Sequence, residues 1–281
     1  MVFCYKNGQI IDNISIFDRA FQYGDGCFTT ARIHQNVIEL DYLHRQRLQQ
    51  SAERLFLTVD FSLLDKMLKQ LTQKFDVLNG TLKIVISRGE GQRGYLMPDH
   101  PADLYVFYYP QNTQNFQPEL IQSGVLTQKI GLTMPKLVGL KSLNRLEQVM
   151  LKKEAHEKGW LEALVVDIQD QIVEGVSSNC FIQINNTWIT PELRYNGVHG
   201  VMRAEILQRM QRHKISCEQR IVDFNEIPHI QSLFFCNALS PMKIVHTLNT
   251  RALEIQPCVE LFETLQLQLF KSHAEYSCKN Q

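Results

Sequence analysis

The stretch PQNTQNFQP, residues 110–118, divides the chain into two regions. It is polar, has a proline at each end and shows neither helical nor strand periodicity, which is typical of a segment between domains. A chain of 281 residues is long enough for two modest domains or one large one. We therefore predict an N-terminal α+β domain over residues 1–112, a linker over 113–120 and a larger C-terminal domain over 121–281.

Before this stretch, strand-like and helix-like patterns alternate. Asn7-Gly8 between two β-prone runs predicts a hairpin with a two-residue turn. Apolar residues at helical spacing predict one helix that opens at Asp41 and a second with Ser62 as its N-cap. Strands are predicted at residues 28–33, 37–40, 81–88 and 103–109.

Beyond the same stretch, both types of element continue, which predicts an α+β fold class. Helices are predicted at residues 142–158, 200–213 and from 259 onward. Strands are predicted at residues 125–130, 163–168, 180–184, 188–189, 220–222, 233–236 and 243–246.

The composition excludes several classes of function. The 29 Lys and Arg residues balance 29 Asp and Glu residues, so no net field favours nucleic acid or an anionic membrane as a partner. No apolar run reaches the about 18 residues of a transmembrane helix. The stretch MVFCYKNGQIIDN becomes polar at Lys6 and lacks the long apolar core of a signal peptide, so we expect a cytoplasmic protein. The seven cysteines include no C-x-x-C pair, which predicts neither a disulfide framework nor a metal site.

GEGQRG, residues 89–94, matches the G-x-G-x-x-G fingerprint of dinucleotide-binding folds. That fingerprint needs a helix after its third glycine, whereas Pro98 and Pro101 lead here into another predicted strand. We predict a glycine-rich loop between antiparallel strands with Arg93 at its tip as an anion contact. A nicotinamide-binding protein is the alternative.

Three further features of the sequence indicate a binding or catalytic site only if their surroundings in the fold suit it. NGVHGVMR, residues 196–203, leads into a predicted helix, where the N–H groups of Val201 and Met202 suit a phosphate. An ordinary glycine turn explains the same pattern. Lys141 is either a solvated lysine or, in a partly buried cleft, an amine nucleophile. Glu174 is either a surface carboxylate or the partner of a cation.

Three motifs in order carry a resemblance to a known family: GDGCFTTAR at 24–32, SRGEGQRGY at 87–95 and KSLNRLEQV at 141–149. The chain resembles the 4-amino-4-deoxychorismate lyases, which are fold-type IV pyridoxal-phosphate enzymes like the branched-chain and D-amino-acid aminotransferases. The resemblance runs over nearly the whole chain. It implies a homodimer whose subunits each have a smaller N-terminal α/β sandwich and a larger, barrel-like C-terminal domain with helices.

The resemblance implies pyridoxal 5′-phosphate as the cofactor and assigns residues to it. Lys141 matches the lysine that is covalently joined to the cofactor and moves protons. Glu174 matches the carboxylate beside the pyridine nitrogen, whose negative charge keeps the ring protonated. The remaining implied cofactor contacts are Arg47 and the backbone of Val201 and Met202, at the phosphate, and Asn237 and Ala238.

A second set of residues is implied to act on the substrate. Thr30 occupies a position where the lyases carry threonine and the aminotransferases carry glycine, which implies a hydroxyl near the reacting groups. Tyr23, Phe28 and Arg32 match a strand segment that lines the family's active site. Arg93 and Leu239 complete the implied substrate contacts.

The implied reaction converts 4-amino-4-deoxychorismate to 4-aminobenzoate and pyruvate in folate synthesis. One departure supports an alternative: Ser142 stands where many of the lyases carry histidine, and KSLN is similar to the D-amino-acid aminotransferases. A D-amino-acid or branched-chain aminotransferase of the same fold is therefore the alternative enzyme. A non-catalytic protein that keeps only the scaffold is the alternative outside enzymology.

Overall fold

The computed structural model describes residues 3–111 and 116–268. The chain divides into two compact units, and the first unit includes the short segment Leu140–Asn144 in addition to the N-terminal region. The predicted linker 113–120 lies in part outside the described residues. Its last two residues already belong to a strand that begins at Glu119.

The first unit contains one six-stranded sheet, in the order β2-β1-β6-β5-β3-β4, with all neighbouring pairs antiparallel. Its helices are α1 (Arg19–Tyr23), α2 (Asp41–Arg54) and α3 (Ser62–Lys74). Its strands are β1 (Phe3–Lys6), β2 (Gln9–Ile10), β3 (Gly26–His34), β4 (Val37–Ile38), β5 (Gly80–Ser87) and β6 (Asp103–Pro110).

Side chains alternate between the two faces of this sheet. One face packs against α2 and α3 and forms the core, in which Leu82, Ile86 and Met67 are fully buried. Burial of each such side chain contributes about 1.5–3 kcal/mol. The opposite face carries Phe28 and Thr30, which are half-buried, so this face keeps reactive groups within reach of small molecules.

Local signals explain how the first unit begins. The Asn7-Gly8 hairpin is confirmed: both residues have positive φ, 50° and 87°, as a type I′ turn requires. The helix that was predicted from Asp41 also begins there. Ser62 is not an N-cap but the first helical residue, because the Asp60 carboxylate accepts hydrogen bonds from its N–H and hydroxyl.

The second unit contains a mixed seven-stranded sheet, in the order β12-β11-β10-β13-β14-β15 with β7 parallel to β14, and a separate β8-β9 pair. Its helices are α4 (Leu146–Glu157), α5 (Val201–Arg212) and α6 (Gln256–Thr264). Its strands are β7 (Glu119–Ser123), β8 (Leu164–Val166), β9 (Ile172–Gly175), β10 (Asn179–Ile184), β11 (Thr187–Pro191), β12 (Cys217–Arg220), β13 (Ser232–Asn237), β14 (Ser240–Leu248) and β15 (Arg251–Ala252).

Three predicted elements of this region differ from the structure. The strand predicted at 220–222 lies instead at Cys217–Arg220. No strand spans residues 125–130, because the Glu154 carboxylate accepts the N–H groups of Thr127 and Gln128, at 2.7 and 3.0 Å, and removes these donors from strand pairing. The helix predicted from residue 142 begins only at Leu146. Residues before it pair with a strand of the first unit, as described below.

Three global features concern only the described part of the chain. None of its helices has the length and apolar content needed to cross a membrane. It has no cluster of three or more His, Cys, Asp or Glu side chains suited to a metal ion. Its six cysteines are free thiols.

Candidate active site

Lys141 lies on an extended segment that pairs with the start of β3. Phe28 N–H donates to the Lys141 carbonyl oxygen at 2.9 Å, and Leu143 N–H donates to the Gly26 carbonyl oxygen at 3.0 Å. These long-range bonds replace the predicted helix start. Because side chains alternate along paired strands, Lys141 shares a sheet face with Phe28, whereas Ser142, opposite Cys27, shares the other face.

The face that carries Lys141 combines amines, a hydroxyl and an aromatic ring. Lys141 Nζ lies 4.7 Å from the centroid of the Phe28 ring, and Lys83 Nζ lies 5.1 Å from the same centroid. Thr30 is paired with Lys83 across β3 and β5, so its side chain belongs to the same face. Cation–π contacts of this kind contribute about 0.5–2 kcal/mol each. The structure thus brings together Lys141, Phe28 and Thr30.

Arg47, on α2, points toward β3, and it uses few of its hydrogen-bond donors within the described part of the chain. Its Nη2 donates to the Thr29 hydroxyl, which is its only hydrogen bond to the described residues. Its Nε is buried and has no hydrogen-bond partner there. Burial lowers the pKa of Arg47 to about 10. A desolvated guanidinium with an unused donor suits an anion such as a phosphate.

The structure places Arg32 on β3, in the predicted strand segment, but it places Tyr23 differently from the prediction. Arg32 is 5% exposed, and its Nε lies 3.6 Å from Glu39 Oε2. Burial raises the pKa of Glu39 to about 7, against the opposing charge of Arg32. Tyr23 is not on the strand, because Asp18 caps a short helix that Tyr23 ends and left-handed Gly24 closes before β3 begins.

Tyr23 instead holds the glycine-rich loop. Its hydroxyl oxygen accepts the Gly94 N–H at 3.0 Å, and Arg19 Nη1 donates to the Gly94 carbonyl oxygen at 2.8 Å. The loop joins β5 to β6 and no helix follows it, so the predicted loop is confirmed and the nicotinamide alternative lacks its structural context. A pocket of about 720 Å³ is lined by Phe17, Gln22, Glu90, Gly91, Gln92, Arg93 and Pro98.

Glu174, in the second unit, is a buried strand residue and not a surface carboxylate. It lies on β9 and is 7% exposed. Its Oε2 accepts hydrogen bonds from Asn179 Nδ2 at 3.2 Å and from Val198 N–H at 3.0 Å, which orient the carboxylate. The charge of Glu174 also opposes the effect of burial, which lowers the pKa of Arg145.

Val201 and Met202 are the first two residues of α5, as predicted. The N-cap, Gly200, provides no side-chain hydrogen bond, so the first N–H groups of this helix depend on another acceptor. A Cβ at Gly200 would lie 2.0 Å from Asn179 Oδ1, so any larger residue there would displace the Asn179 side chain. Asn179 therefore connects Glu174 to the helix start, a role that the sequence did not reveal.

The predicted residues Asn237, Ala238 and Leu239 form the turn between β13 and β14. Asn237 Oδ1 accepts the N–H groups of Leu239 and Ser240, at 3.0 and 2.9 Å. Its Nδ2 donates to Ser178 Oγ at 3.1 Å. The Asn237 side chain therefore shapes the turn, and the Leu239 N–H is used inside it.

Each unit, taken by itself, carries groups whose chemistry suits part of pyridoxal phosphate. In the first unit, the Lys141 amine would suit the aldehyde, and the unpartnered guanidinium donor of Arg47 would suit the phosphate. In the second unit, the oriented Glu174 carboxylate would suit the pyridine nitrogen, and the uncapped start of α5 offers N–H groups that would suit an anion.

Comparison with known proteins identifies relatives of two activities. The model of the amino-transferase class IV family matches residues 26–248. Aminodeoxychorismate lyase from Vibrio harveyi is 29% identical over 239 residues, which are 84% of this chain and 87% of that protein. D-alanine aminotransferase from Bacillus licheniformis is 27% identical over 240 residues, 81% of this chain and 82% of that protein.

A solved structure confirms the predicted fold class. The crystal structure of 4-amino-4-deoxychorismate lyase from Pseudomonas aeruginosa superimposes with a TM-score of 0.82 at 29% sequence identity. The match covers 94% of this chain and 98% of that one. The α+β architecture of the fold-type IV enzymes therefore holds for the chain.

Proposed function

The chain belongs to the amino-transferase class IV family, whose members depend on pyridoxal phosphate. Within this family, we propose that the chain is a lyase. It converts 4-amino-4-deoxychorismate to 4-aminobenzoate and pyruvate. The observation that carries the proposal is the placement of Thr30 on the same sheet face as Phe28 and Lys141. The similarity to two lyases over most of the chain supports it.

The residues divide the work of the reaction. Bound pyridoxal phosphate supplies an electron sink for the C–H bond that breaks. The Lys141 amine takes the proton from ring carbon 4 of the substrate, and the Thr30 hydroxyl hydrogen-bonds near that carbon. Glu174 provides the negative charge beside the pyridine nitrogen, and Arg47 binds the phosphate.

The atoms of the reaction balance without a second substrate. Loss of the carbon 4 proton and of the enolpyruvyl oxygen bond makes the ring aromatic, and the released enol becomes pyruvate after it gains a proton. Because aromatisation supplies much of the driving force, the protein mainly orients one C–H bond and stabilises negative charge. An amine next to an aromatic ring, as Lys141 is to Phe28, suits that task.

Transamination by the same residues is the second candidate. It is supported by the similarity to D-alanine aminotransferase and by Ser142, which follows Lys141 as in that group. The Ser142 side chain belongs to the opposite sheet face from Lys141. This placement weakens its value as a marker of substrate choice.

One assay separates the two activities. Purified protein loaded with pyridoxal phosphate is given 4-amino-4-deoxychorismate, and pyruvate and 4-aminobenzoate are measured together. We expect the two products in equal amounts from the wild type and neither from Lys141→Ala. Transfer of the amino group from D-alanine to 2-oxoglutarate at a higher kcat/KM, with no 4-aminobenzoate, would reject the lyase in favour of the aminotransferase.

The proposal also includes the assembly and location that the family resemblance implies. We infer a homodimer in the cytoplasm, with a small-molecule substrate and neither nucleic acid nor membrane as a partner. Light scattering on the purified protein tests the dimer, and a mass of one chain at assay concentration would contradict it.

A further inference from the structure

A buried polar cluster connects β3 to α2 inside the first unit. It consists of Thr29, His44 and Arg47. Thr29 is 0% exposed and His44 is 1% exposed. Thr29 Oγ1 lies 2.6 Å from His44 Nδ1, and Arg47 Nη2 donates to the same Oγ1. Polar groups buried to this degree are costly unless all of them are hydrogen-bonded.

Arginine has only donors, so the Thr29 oxygen accepts from Arg47. A hydroxyl oxygen has a second lone pair, so Thr29 Oγ1 can either accept from His44 Nδ1–H or donate its own proton to an unprotonated Nδ1. We assign the second arrangement, because it gives the buried hydroxyl proton an acceptor. In this arrangement the neutral imidazole carries its proton on Nε2.

The electrostatics of the cluster agree with a neutral imidazole. Burial, followed by the positive charge of Arg47, lowers the pKa of His44 well below its ordinary value. The other titratable group beside Arg47 is the Cys27 thiol, whose pKa burial raises to about 12, so it is neutral at physiological pH. Arg47 is thus the one cation of this cluster, and no anion of the cluster balances it.

We propose that Thr29 and His44 are positioning residues for Arg47, a chain of two hydrogen bonds that holds its guanidinium in one orientation for the phosphate of the cofactor. One donor group, Nη2, is used by Thr29. Nε remains unpartnered among the described residues, so the guanidinium keeps a donor for a phosphate oxygen. The inference deepens the proposed function. It depends on that function only in requiring pyridoxal phosphate as the cofactor.

The test compares two ligands that differ only in the phosphate. Pyridoxal phosphate and pyridoxal are titrated into the full-length apoprotein, and binding is followed by the absorbance of the ligand. Thr29→Val keeps the shape of the side chain and suits a strand, but it lacks the hydroxyl. We expect it to weaken pyridoxal phosphate about tenfold, the equivalent of one charge-assisted hydrogen bond, and to leave pyridoxal unchanged.

Conservative variants separate positioning from packing. Thr29→Ser keeps the hydroxyl, and His44→Asn keeps an acceptor close to the position of Nδ1, so both are expected to stay within about twofold of the wild type. His44→Leu removes the acceptor and should weaken pyridoxal phosphate like Thr29→Val. Thr190→Val is the matched control, because Thr190 is another fully buried threonine whose hydroxyl oxygen accepts from an arginine, Arg203.

The possible outcomes are distinct. Equal weakening of both ligands by Thr29→Val, or an unchanged ratio of the two affinities in all variants, would overturn the inference. Failure of the wild type to bind pyridoxal phosphate would overturn it as well. If the affinity ratio changes as expected while the protein forms no pyruvate, the proposed lyase fails and the positioning role stands.

Discussion

Two arginines on helices show how differently this protein treats buried positive charge. Arg209, on α5, donates through Nε to Glu205 at 2.7 Å and through Nη1 to the carbonyl oxygens of Leu265 and Gln266, at 2.9 and 2.7 Å. Its partner Glu205 is completely buried. The protein itself satisfies this guanidinium and balances its charge.

Arg47, on α2, has one neutral partner among the described residues, the Thr29 hydroxyl, and a buried Nε without any. Burial of this charge costs desolvation free energy, and the described residues that contact it supply no counter-charge. The difference indicates that Arg209 serves the stability of the fold, whereas Arg47 is kept for a ligand. We expect the same distinction among the lysines and carboxylates of the protein.

The largest effect on activity is expected when a lysine of the candidate active site is compared with an exposed lysine elsewhere. Lys141→Ala should lower pyruvate formation by roughly 10⁴-fold or more, because it removes the amine nucleophile and proton carrier together. Lys129→Ala, which removes an exposed lysine paired with Asp170, should leave kcat unchanged. Steady-state kinetics measures both, and a loss of activity in Lys129→Ala would break the distinction.

Stability tests the arginines themselves. Arg209→Met leaves Glu205 buried without its partner, so we expect it to lower the free energy of unfolding by about 3–5 kcal/mol. Arg47→Met replaces an uncompensated charge with an apolar side chain and should change that free energy by less than about 1 kcal/mol. Urea unfolding of the apoproteins measures both values. Similar losses in the two variants would show that Arg47 is also structural.

Two buried glutamates allow the same comparison between a residue kept for the cofactor and a residue that stabilises the fold. Glu174→Gln should lower kcat by about 10²- to 10³-fold, since it removes the charge beside the pyridine nitrogen. Glu162 accepts hydrogen bonds from Ser177 N–H, Ser177 Oγ and Ser178 Oγ, at 2.9, 2.8 and 2.6 Å. Glu162→Gln should therefore lower the Tm and leave kcat of the folded protein within about twofold. A reversed pattern would contradict these assignments.

The smallest effect concerns the pH dependence of stability. Because the pKa of His44 is lowered in the folded protein, the unfolded chain binds more protons below about pH 6.5, the ordinary value. His44 therefore contributes stability above this pH that is lost as the pH falls, by up to about 1.4 kcal/mol per pH unit. His44→Asn should remove this contribution from urea-unfolding data collected between about pH 5 and 7.

Glu39 acts in the opposite sense over the same range. Its pKa is raised to about 7 on folding, so the folded protein binds more protons and gains stability as the pH falls toward the unfolded value. Glu39 is present in both proteins and cancels in the difference between the wild type and His44→Asn. Identical pH profiles for the two proteins would show that His44 is protonated in the same way in both states.

The elements that the sequence predicts well are those with local causes. Asn7-Gly8 sets a turn by its own conformational preference, and the apolar spacing after Asp41 defines α2. The prediction for residues 141–143 is wrong because local causes do not decide their structure. Their sequence pattern continues into α4, but their backbone hydrogen bonds go to β3, far away in the chain. No local pattern contains that information.

The same reasoning applies to the site. The family resemblance identifies Lys141, Glu174 and Arg47 as single residues, and their roles stay predictions until they are tested. It does not identify Thr29 and His44, because their signal is a contact between a strand and a helix, which appears only when the chain folds. The sequence does not identify Asn179 for the same reason. Its role depends on its contact with the acceptor Glu174 Oε2.

Reduction of the loaded protein with borohydride, followed by peptide mass spectrometry, tests the central claim most directly. If Lys141 carries the cofactor, the reduced pyridoxyl group will be found on the peptide that contains Lys141 and will disappear from that peptide in Lys141→Ala. A modified Lys83, the other amine beside the Phe28 ring, with an unmodified Lys141 would contradict the claim, as would a protein with no reduced adduct.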